Sequence, residues 1–313
     1  APMGTSPRAA ARRASSSAAT MKVDFVVSIG MLANMNSKQD SVKPSDGERI
    51  AKRLARAGLC SRREAERWIV AGRVKVDGKV LETPACVVTA KSRIEVDGNP
   101  LAGAEPTKLW RYHKPKGLLT TNNDPEGRDT VFEKLPDDLP RVLSVGRLDL
   151  NTEGLLLLTN DGDLARFLEL PSTGWRRRYR VRVHGSVNEK ALARLADGVR
   201  IDGISYGGIE ATLDSTQRGN SWLSLSLKEG KNREIRRVME HLDLQVTRLI
   251  RLSYGPFQLG DLPRGEVAPV PRRILRDQLG SNAARFGLAA GEGDAKRPAK
   301  KQPAKKPAQK KKK

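Results

Sequence analysis

Four consecutive leucines, Leu155 to Leu158, lie between two polar, glycine-containing segments and constrain the fold more than any other feature of the sequence. The run is far shorter than the roughly 20 apolar residues that a membrane-spanning helix needs. A short apolar run bounded by turn residues is typical of a buried strand. The sequence therefore predicts a globular domain that contains a buried strand at Leu155 to Thr159.

Other segments on both sides of this run show regular patterns. Residues 178–183 and 221–227 alternate between apolar and polar side chains, which is typical of strands. One helix is predicted between the leucine run and the first of these strands, at 163–169. A second is predicted after the last strand, at 233–241. Strands with intervening helices and no regular parallel repeat indicate the α+β class.

A smaller unit precedes this domain in the chain. Ile50 begins a helical apolar pattern that ends at Gly58, and the pair Ser61 and Glu64 forms a capping box that opens a second helix. Alternating valines on both sides of Asp77-Gly78 predict a β-hairpin. Two helices followed by a hairpin resemble the alpha-L motif, a small RNA-binding module of the type found in a ribosomal small-subunit protein.

Basic side chains crowd one stripe of the first helix and the start of the second. They are Arg49, Lys52, Arg53, Arg56, Arg62, Arg63 and Arg67. The alternative is an ordinary solvated surface. However, few acids balance the stripe, and positive charge near a helix N-terminus opposes the helix dipole. We therefore predict that Lys52, Arg53, Arg56, Arg62, Arg63 and Arg67 contact RNA phosphates.

The formal net charge is +22, and both ends of the chain carry only part of it. A basic folded body indicates a polyanionic partner, for which nucleic acid is favoured over an anionic membrane surface. The predicted organisation is a disordered extension (1–47), the alpha-L domain (48–96), a linker (97–107), a large domain (108–278) and a disordered Lys/Ala/Pro-rich basic tail (279–313).

Several classes of function lack their sequence motifs. There is no phosphate-binding glycine loop, dinucleotide fingerprint, zinc-protease motif or nucleophile elbow. Two cysteines, Cys60 and Cys86, and three histidines are too few for a disulfide framework or a structural zinc site. The sequence therefore predicts no cofactor, no metal and a reducing, cytoplasmic location.

Two segments of the large domain are unusually rich in polar residues and glycine. The first contains Asp149 between two leucines, just ahead of the predicted buried strand; the second, 229–237, places arginines at the start of a helix. Asp149 could simply cap a turn through its own backbone. The second segment could be a basic RNA-facing surface without a chemical role.

Several motifs in a fixed order resemble those of pseudouridine synthases of the RsuA/RluB type, closest to the RluB-like branch. The motifs are Lys114 to Thr121, Asp124 to Arg128, Gly146 to Asp163, Arg178-Tyr179, 229–237 and Gly255-Pro256. The resemblance spans roughly 108–270 and implies the pseudouridine synthase fold, a mixed and mostly antiparallel sheet with flanking helices. It implies a cofactor-independent isomerase that converts uridine to pseudouridine in ribosomal RNA.

The resemblance also implies residue roles. Asp149 would be the catalytic aspartate, Tyr179 would stack on the flipped uracil, and Arg236 would pair with the catalytic carboxylate. Arg147 would lie near the flipped nucleotide. From their place in the basic segments, Lys114, Lys231 and Arg233 are also predicted to contact RNA.

This sequence departs from the family pattern at two places. Leu170-Pro171 stands where many relatives have His-Pro, which puts RNA contacts of that loop in doubt. Arg177 stands where a lysine often precedes the tyrosine by two positions, and the charge is kept. Neither departure touches Asp149.

The resemblance implies large-subunit (23S) rRNA over small-subunit (16S) rRNA, because the length of the chain and its Lys/Ala/Pro-rich tail are similar to those of the RluB-like branch, whereas members of the RsuA branch tend to be shorter. A second hypothesis is that the protein is a non-catalytic, RNA-binding ribosome-assembly factor with the same fold. The presence of Asp149 argues against this hypothesis. The expected partners are ribosomal RNA or ribosome-assembly intermediates, and the protein is expected to be a monomer in the bacterial cytoplasm without membrane association.

Overall fold

The structure, a computed structural model, describes residues 47–289. The predicted extension lies outside these residues apart from Gly47, as does the basic tail from 290 onward. The helices are α1 (Ile50–Arg56), α2 (Arg62–Val70), α3 (Gly162–Glu169), α4 (Glu189–Arg194), α5 (Glu234–His241) and α6 (Arg272–Leu279).

Short strands form the small domain and long ones the large domain. They are β1 (Glu48–Arg49), β2 (Val74–Val76), β3 (Lys79–Val80), β4 (Val87–Val88), β5 (Ile94–Val96), β6 (Asn99–Pro100), β7 (Leu109–Lys114), β8 (Leu143–Val145), β9 (Glu153–Thr159), β10 (Arg177–His184), β11 (Val199–Ile201), β12 (Ile204–Tyr206), β13 (Ile209–Gln217), β14 (Asn220–Leu227), β15 (Gln245–Tyr254), β16 (Phe257–Gln258) and β17 (Val267–Pro269).

The small domain has the predicted helices and hairpin. Ile50 and Ile69 are fully buried and share one apolar cluster with Val74 at the start of β2. The Ser61 hydroxyl accepts a hydrogen bond from the backbone N–H of Glu64 (3.1 Å), so the predicted capping residue begins α2. Burial of one face of each helix against β2 and β5 holds this unit together.

A second hairpin corrects the predicted linker. Asp97 and Gly98 both have positive φ (51° and 80°), and they connect β5 to β6 within the four-stranded sheet of the small domain. The interpretation of 97–100 as linker was therefore wrong. Asp97-Gly98 has the same turn chemistry as Asp77-Gly78, but Pro100 in so short a strand obscured the pattern.

The large domain is built on one sheet in the order β13-β14-β10-β15-β9-β7-β17, with β8 and β16 paired at its side. Only the β15–β9 contact is parallel; the other pairings in this sheet are antiparallel. The four leucines of β9 are fully buried, two in the cluster on each face. The predicted α+β class and mixed, mostly antiparallel sheet are confirmed.

Helix α3 begins where the sequence indicates. The Asp161 carboxylate accepts hydrogen bonds from the backbone N–H groups of Asp163 and Leu164, which would otherwise lack partners at the helix start. The same carboxylate accepts a hydrogen bond from the Thr107 hydroxyl at 2.7 Å. Thr107, two residues before β7, is thereby tied to the start of α3, just after β9.

The large domain continues beyond its predicted end at 278. A 3₁₀ helix, Gly280–Phe286, follows α6, and Phe286 and Leu288 are buried in the main apolar cluster (2% and 0% exposed). The prediction that the disordered tail begins at 279 was therefore wrong, because this short apolar segment packs onto the core. Within 47–289, no helix is long and apolar enough to cross a membrane.

Candidate active site

A cleft of about 350 Å³ opens in the large domain between the loop that follows β8 and the segment that begins α5. This volume lies in the range of small-ligand pockets, about 300–1,000 Å³. Both polar segments singled out in the sequence contribute to its wall. The cleft brings together six predicted site residues: Arg147, Asp149, Tyr179, Lys231, Arg233 and Arg236.

Asp149 lies in the loop between β8 and β9. The loop is closed by a hydrogen bond from the Thr152 N–H to the Asp149 carbonyl oxygen (2.9 Å) and anchored by the Thr120 hydroxyl, which donates to the Leu148 carbonyl oxygen (2.9 Å). The Asp149 carboxylate makes no hydrogen bond or ion pair with any residue of the described range. The turn thus uses the backbone of Asp149, and its side chain does not cap it.

Lys114, at the end of β7, is fully buried beneath this loop. Its ammonium group donates to the carbonyl oxygens of Pro115, Asp149, Leu150 and Thr152 at 3.0–3.4 Å. Burial lowers the pKa of Lys114 to about 8, although the nearby carboxylate of Asp149 acts in the opposite direction. The prediction that Lys114 contacts RNA was wrong, because the side chain is enclosed and bound to the loop that carries Asp149.

Arg236 reaches the same loop from α5. Its Nη2 donates to the Asn151 carbonyl oxygen at 2.9 Å, and its Nη1 donates to Val246 at 3.4 Å. Burial lowers the pKa of Arg236, the charge of Arg233 adds to this, and the charge of Asp149 opposes it. No ion pair within 4 Å joins Arg236 to Asp149 in the described part of the chain, so their pairing stays a prediction.

Tyr179 forms part of an apolar wall. The ring lies on β10, is 8% exposed, and clusters with Leu227, Ile235 and Leu249. In the strand register Tyr179 is opposite Arg251 of β15. An aromatic ring beside aliphatic side chains in a polar cleft suits a flat, partly apolar group such as a nucleobase.

The remaining basic residues of the cleft have different surroundings. Arg147 is exposed, and Arg233 caps α5 in a left-handed conformation (φ 51°). Lys231 forms an ion pair with Glu229 (2.8 Å). Arg177 donates to the Tyr254 hydroxyl (2.9 Å) and stacks over that ring, so the charge kept at this position helps to form the cleft.

The basic residues of the small domain do not line the cleft. Lys52 forms an ion pair with Asp163 of α3 (2.6 Å), and Arg53 pairs with Glu48 (3.5 Å). Acids thus balance part of the stripe, which the sequence did not reveal because Asp163 is distant along the chain. Among the side chains of this domain that were predicted to contact RNA, Arg56, Arg62, Arg63 and Arg67 are exposed and form no ion pair in the described part of the chain.

Four buried side-chain atoms in residues 47–289 have no hydrogen-bond partner, and all four belong to residues that line the cleft. They are Thr152 Oγ1, Glu234 Oε1, Arg236 Nε and Arg251 Nη2. Buried polar atoms are nearly always satisfied, so each exception needs a reason, of which a ligand site is one. Their concentration around Asp149 marks the cleft as a binding site on geometry alone.

Sequence reasoning missed Thr152, Glu234 and Arg251. Thr152 and Glu234 lie within the recognised motifs but carried no assigned role. Arg251 occupies an inward position of β15, where it alternates with Leu249, and it is 2% exposed. In the sequence Arg251 falls on the more polar side of the alternation, with Thr247 and Ser253, so only the fold shows that it is buried.

Comparison with known proteins identifies a family for this chain. A family model of RNA pseudouridylate synthases matches residues 108–241, and a model of the S4 domain matches 48–94. An uncharacterized RNA pseudouridine synthase of Rickettsia prowazekii is 47% identical over 231 residues, 74% of this chain and 97% of its own length. The chain therefore belongs to the RNA pseudouridine synthase family.

Other relatives define the branch. Ribosomal large subunit pseudouridine synthase B of Yersinia pestis is 46% identical over 70% of this chain and 71% of its own length. The protein of the same name from Pasteurella multocida is 43% identical over 74% and 71%. A crystal structure of a pseudouridylate synthase matches with a TM-score of 0.52 and 25% identity, over 74% of this chain and 99% of that one. The resemblance to RluB-like synthases is confirmed.

Proposed function

We propose that this protein isomerises a specific uridine of ribosomal RNA to pseudouridine, and that its target lies in the 23S rRNA of the large subunit. The observation that carries the proposal is the Asp149 carboxylate, which lacks a protein partner and faces a cleft where four buried polar atoms are also unsatisfied. The relatives in Yersinia pestis and Pasteurella multocida are named as large-subunit synthases, which supports the choice of subunit.

The reaction breaks the bond between C1′ and N1 and joins C1′ to C5. Breaking a glycosidic bond builds positive charge on the sugar, which a carboxylate can stabilise or capture covalently, or from which it can take the C2′ proton. Each route requires ionised Asp149. The guanidinium of Arg236, which contacts the same loop through Asn151, places a positive charge near this carboxylate.

The wall around Tyr179 would hold the base during the reaction. The target nucleotide must leave its stack to reach Asp149, and the detached uracil must stay bound while it turns. Tyr179 offers a ring face, and Leu227, Ile235 and Leu249 exclude water from the same side. Exclusion of water prevents simple hydrolysis at C1′. Arg147 and Arg233, at the mouth of the cleft, would bind phosphates that flank the flipped nucleotide.

The S4 domain would dock structured RNA at a distance from the cleft. Arg56, Arg62, Arg63 and Arg67 are exposed, and phosphate contacts of this kind position a protein without reading sequence. The Lys52–Asp163 ion pair joins this domain to α3. Lys52 would therefore help to orient the two domains as well as attract RNA.

The experiment is to map pseudouridine in 23S and 16S rRNA from cells with and without the gene. The deletion should remove one pseudouridine from 23S rRNA, and a plasmid copy should restore it. Loss of a pseudouridine from 16S rRNA alone would contradict the assignment of the target to the large subunit. An unchanged pseudouridine map in both rRNAs would contradict the proposed function.

A further inference from the structure

We infer that Arg251 is a further catalytic residue, whose guanidinium donates a hydrogen bond to a carbonyl oxygen of the uracil anion released when C1′–N1 breaks. This inference rests on the proposed function and adds a group that stabilises the leaving base. Asp149 balances the positive charge on the sugar, whereas Arg251 would balance the negative charge on the base.

The fold brings Arg251 to the floor of the cleft through a close approach of two strands. Strands β9 and β15 are parallel, and Gly154 pairs with Arg251 in their register. A Cβ atom on Gly154 would overlap the backbone of Arg251, so the approach requires glycine at this position. Arg251 thus lies directly beside the strand that continues from the Asp149 loop.

The side chain is held but only partly satisfied. Arg251 Nε donates to the Leu155 carbonyl oxygen at 2.7 Å, and the guanidinium lies 5.3 Å from the centre of the Tyr254 ring. Nη2 is buried and has no partner, although the residue lines the cleft. These contacts fix the guanidinium and leave one donor for a bound molecule.

The charge of Arg251 is not neutralised by the protein. Within the described residues no carboxylate lies within 4 Å of it, and the nearby ammonium of Lys114 has the same sign. Burial of a cation without a neutralising partner is unfavourable, because the cation loses its hydration. A site that accepts this cost is complementary to an anion that forms during the reaction.

The strand register places Arg251 next to the ring on which the base would stack. Tyr179 and Arg251 are opposite each other on antiparallel strands, and the Cα atoms of such pairs lie about 4.5–5.5 Å apart. A uracil stacked on Tyr179 would therefore have its edge near Arg251. Asp149, in the loop before β9, lines the same cleft.

When the C1′–N1 bond breaks, its electron pair stays on N1. The uracil therefore carries a negative charge that it shares with its carbonyl oxygens, and the Asp149 carboxylate balances the positive charge at C1′. Arg251 stabilises that anion by a charge-assisted hydrogen bond. After the base turns, the electron pair of the anion forms the bond from C5 to C1′. The C5 proton passes to the Asp149 carboxylate and from there to solvent, and N1 gains a proton from solvent.

The test compares Arg251→Met and Arg251→Lys with wild type in single-turnover reactions on 23S rRNA transcribed with uridine or with 5-fluorouridine. Conversion of uridine is followed as pseudouridine, and that of 5-fluorouridine as loss of the N-linked nucleoside, because its C5 carries fluorine in place of the proton that is lost in the last step. Both are measured by chromatography and mass spectrometry, and RNA affinity by filter binding. Fluorine stabilises the uracil anion, so cleavage should depend less on Arg251. Arg182→Met, an exposed change on β10, is the control.

We expect Arg251→Met to slow uridine conversion by about 10²–10³-fold, the usual loss for one such donor, with RNA affinity within about twofold. The loss with 5-fluorouridine should be about tenfold smaller. Arg251→Lys keeps a buried cation and should show an intermediate loss, which separates the role from misfolding. Equal losses on both substrates, or a loss confined to RNA affinity, would overturn the inference. Failure of wild type on both substrates would instead overturn the proposed function.

Discussion

Lys114 donates hydrogen bonds to four carbonyl oxygens and ties the loop that carries Asp149 to the end of β7. Its position was not predictable from the sequence. The segment His113 to Lys116 reads His-Lys-Pro-Lys, which indicates a surface loop. Only the fold shows that Lys114 is enclosed while Lys116 is exposed. A lysine enters the interior when backbone carbonyl groups replace its water.

We predict that Lys114→Met lowers the free energy of unfolding by about 3 kcal/mol, because the carbonyl oxygens lose a charged donor. Urea unfolding monitored by circular dichroism measures this. Lys116→Met is the control and should change stability by less than about 0.5 kcal/mol. Equal effects of the two changes would show that Lys114 does not hold the loop.

We expect the free energy of unfolding to depend on pH because of the buried carboxyl group of Glu234. Burial, with the charge of Glu229 adding to it, raises the pKa of Glu234 from 4.5 to about 7. Between these values the folded protein keeps a proton that the unfolded chain has lost, so stability falls as pH rises through this range. Glu234→Gln cannot ionise and should show a smaller fall.

The measurement for Glu234 is the urea midpoint at several pH values from 5 to 8. The difference between Glu234→Gln and wild type should grow in favour of the variant as pH rises. Glu240→Gln, an exposed change on the same helix, should follow wild type. A constant difference across the range would contradict a raised pKa at Glu234.

Among the secondary-structure elements, local chemistry predicted the starts of helices better than the ends of domains. Ser61 caps α2 as expected, and α3, which Asp161 caps, begins within one residue of its predicted start, because such caps depend only on residues within three positions. Asp97-Gly98 and Phe286 were misassigned, since the first depends on pairing with β5 and the second on packing against the core. Such contacts are not local in sequence.

The approach of β9 to β15 can be tested with Gly154→Ala. The new methyl group would overlap the Arg251 backbone at a φ of 105°, and we expect a loss of more than about 2 kcal/mol in unfolding free energy. Gly203→Ala is the control, because its φ is also positive (78°) but no atom lies within 4 Å of the new Cβ. It should lose about 1 kcal/mol. Similar losses would mean that the close contact is unimportant.

In the molecule as a whole, a basic S4 domain is joined to a catalytic domain whose cleft is also basic. The net charge of +22 predicted a polyanionic partner, but it did not show which basic side chains are exposed and able to bind that partner. Lys52 is bound to Asp163, whereas Arg62, Arg63 and Arg67 are exposed. The motifs identified Asp149, Tyr179 and Arg236, which line one cleft, whereas Arg251 needed the fold.

Replacing Arg62, Arg63 and Arg67 together by glutamine should weaken RNA binding and flatten its salt dependence. Each lost phosphate contact lowers the slope of log K against log salt by about 0.7–0.9, so the slope should fall by about 2. Filter binding to 23S rRNA at several salt concentrations measures it. The charge-matched control replaces three exposed residues of the large domain, Lys190, Arg194 and Arg200. An equal change in the control would mean that only net charge matters.

The most direct test of the account is Asp149→Asn assayed on 23S rRNA for pseudouridine formation and, separately, for RNA affinity. The substitution keeps the shape of the side chain and removes its charge, and the loop is held by backbone atoms, Thr120 and Lys114. We predict loss of isomerisation to background with the dissociation constant for RNA within about twofold of wild type. Isomerisation by Asp149→Asn at the wild-type rate would contradict the proposed catalytic role of Asp149.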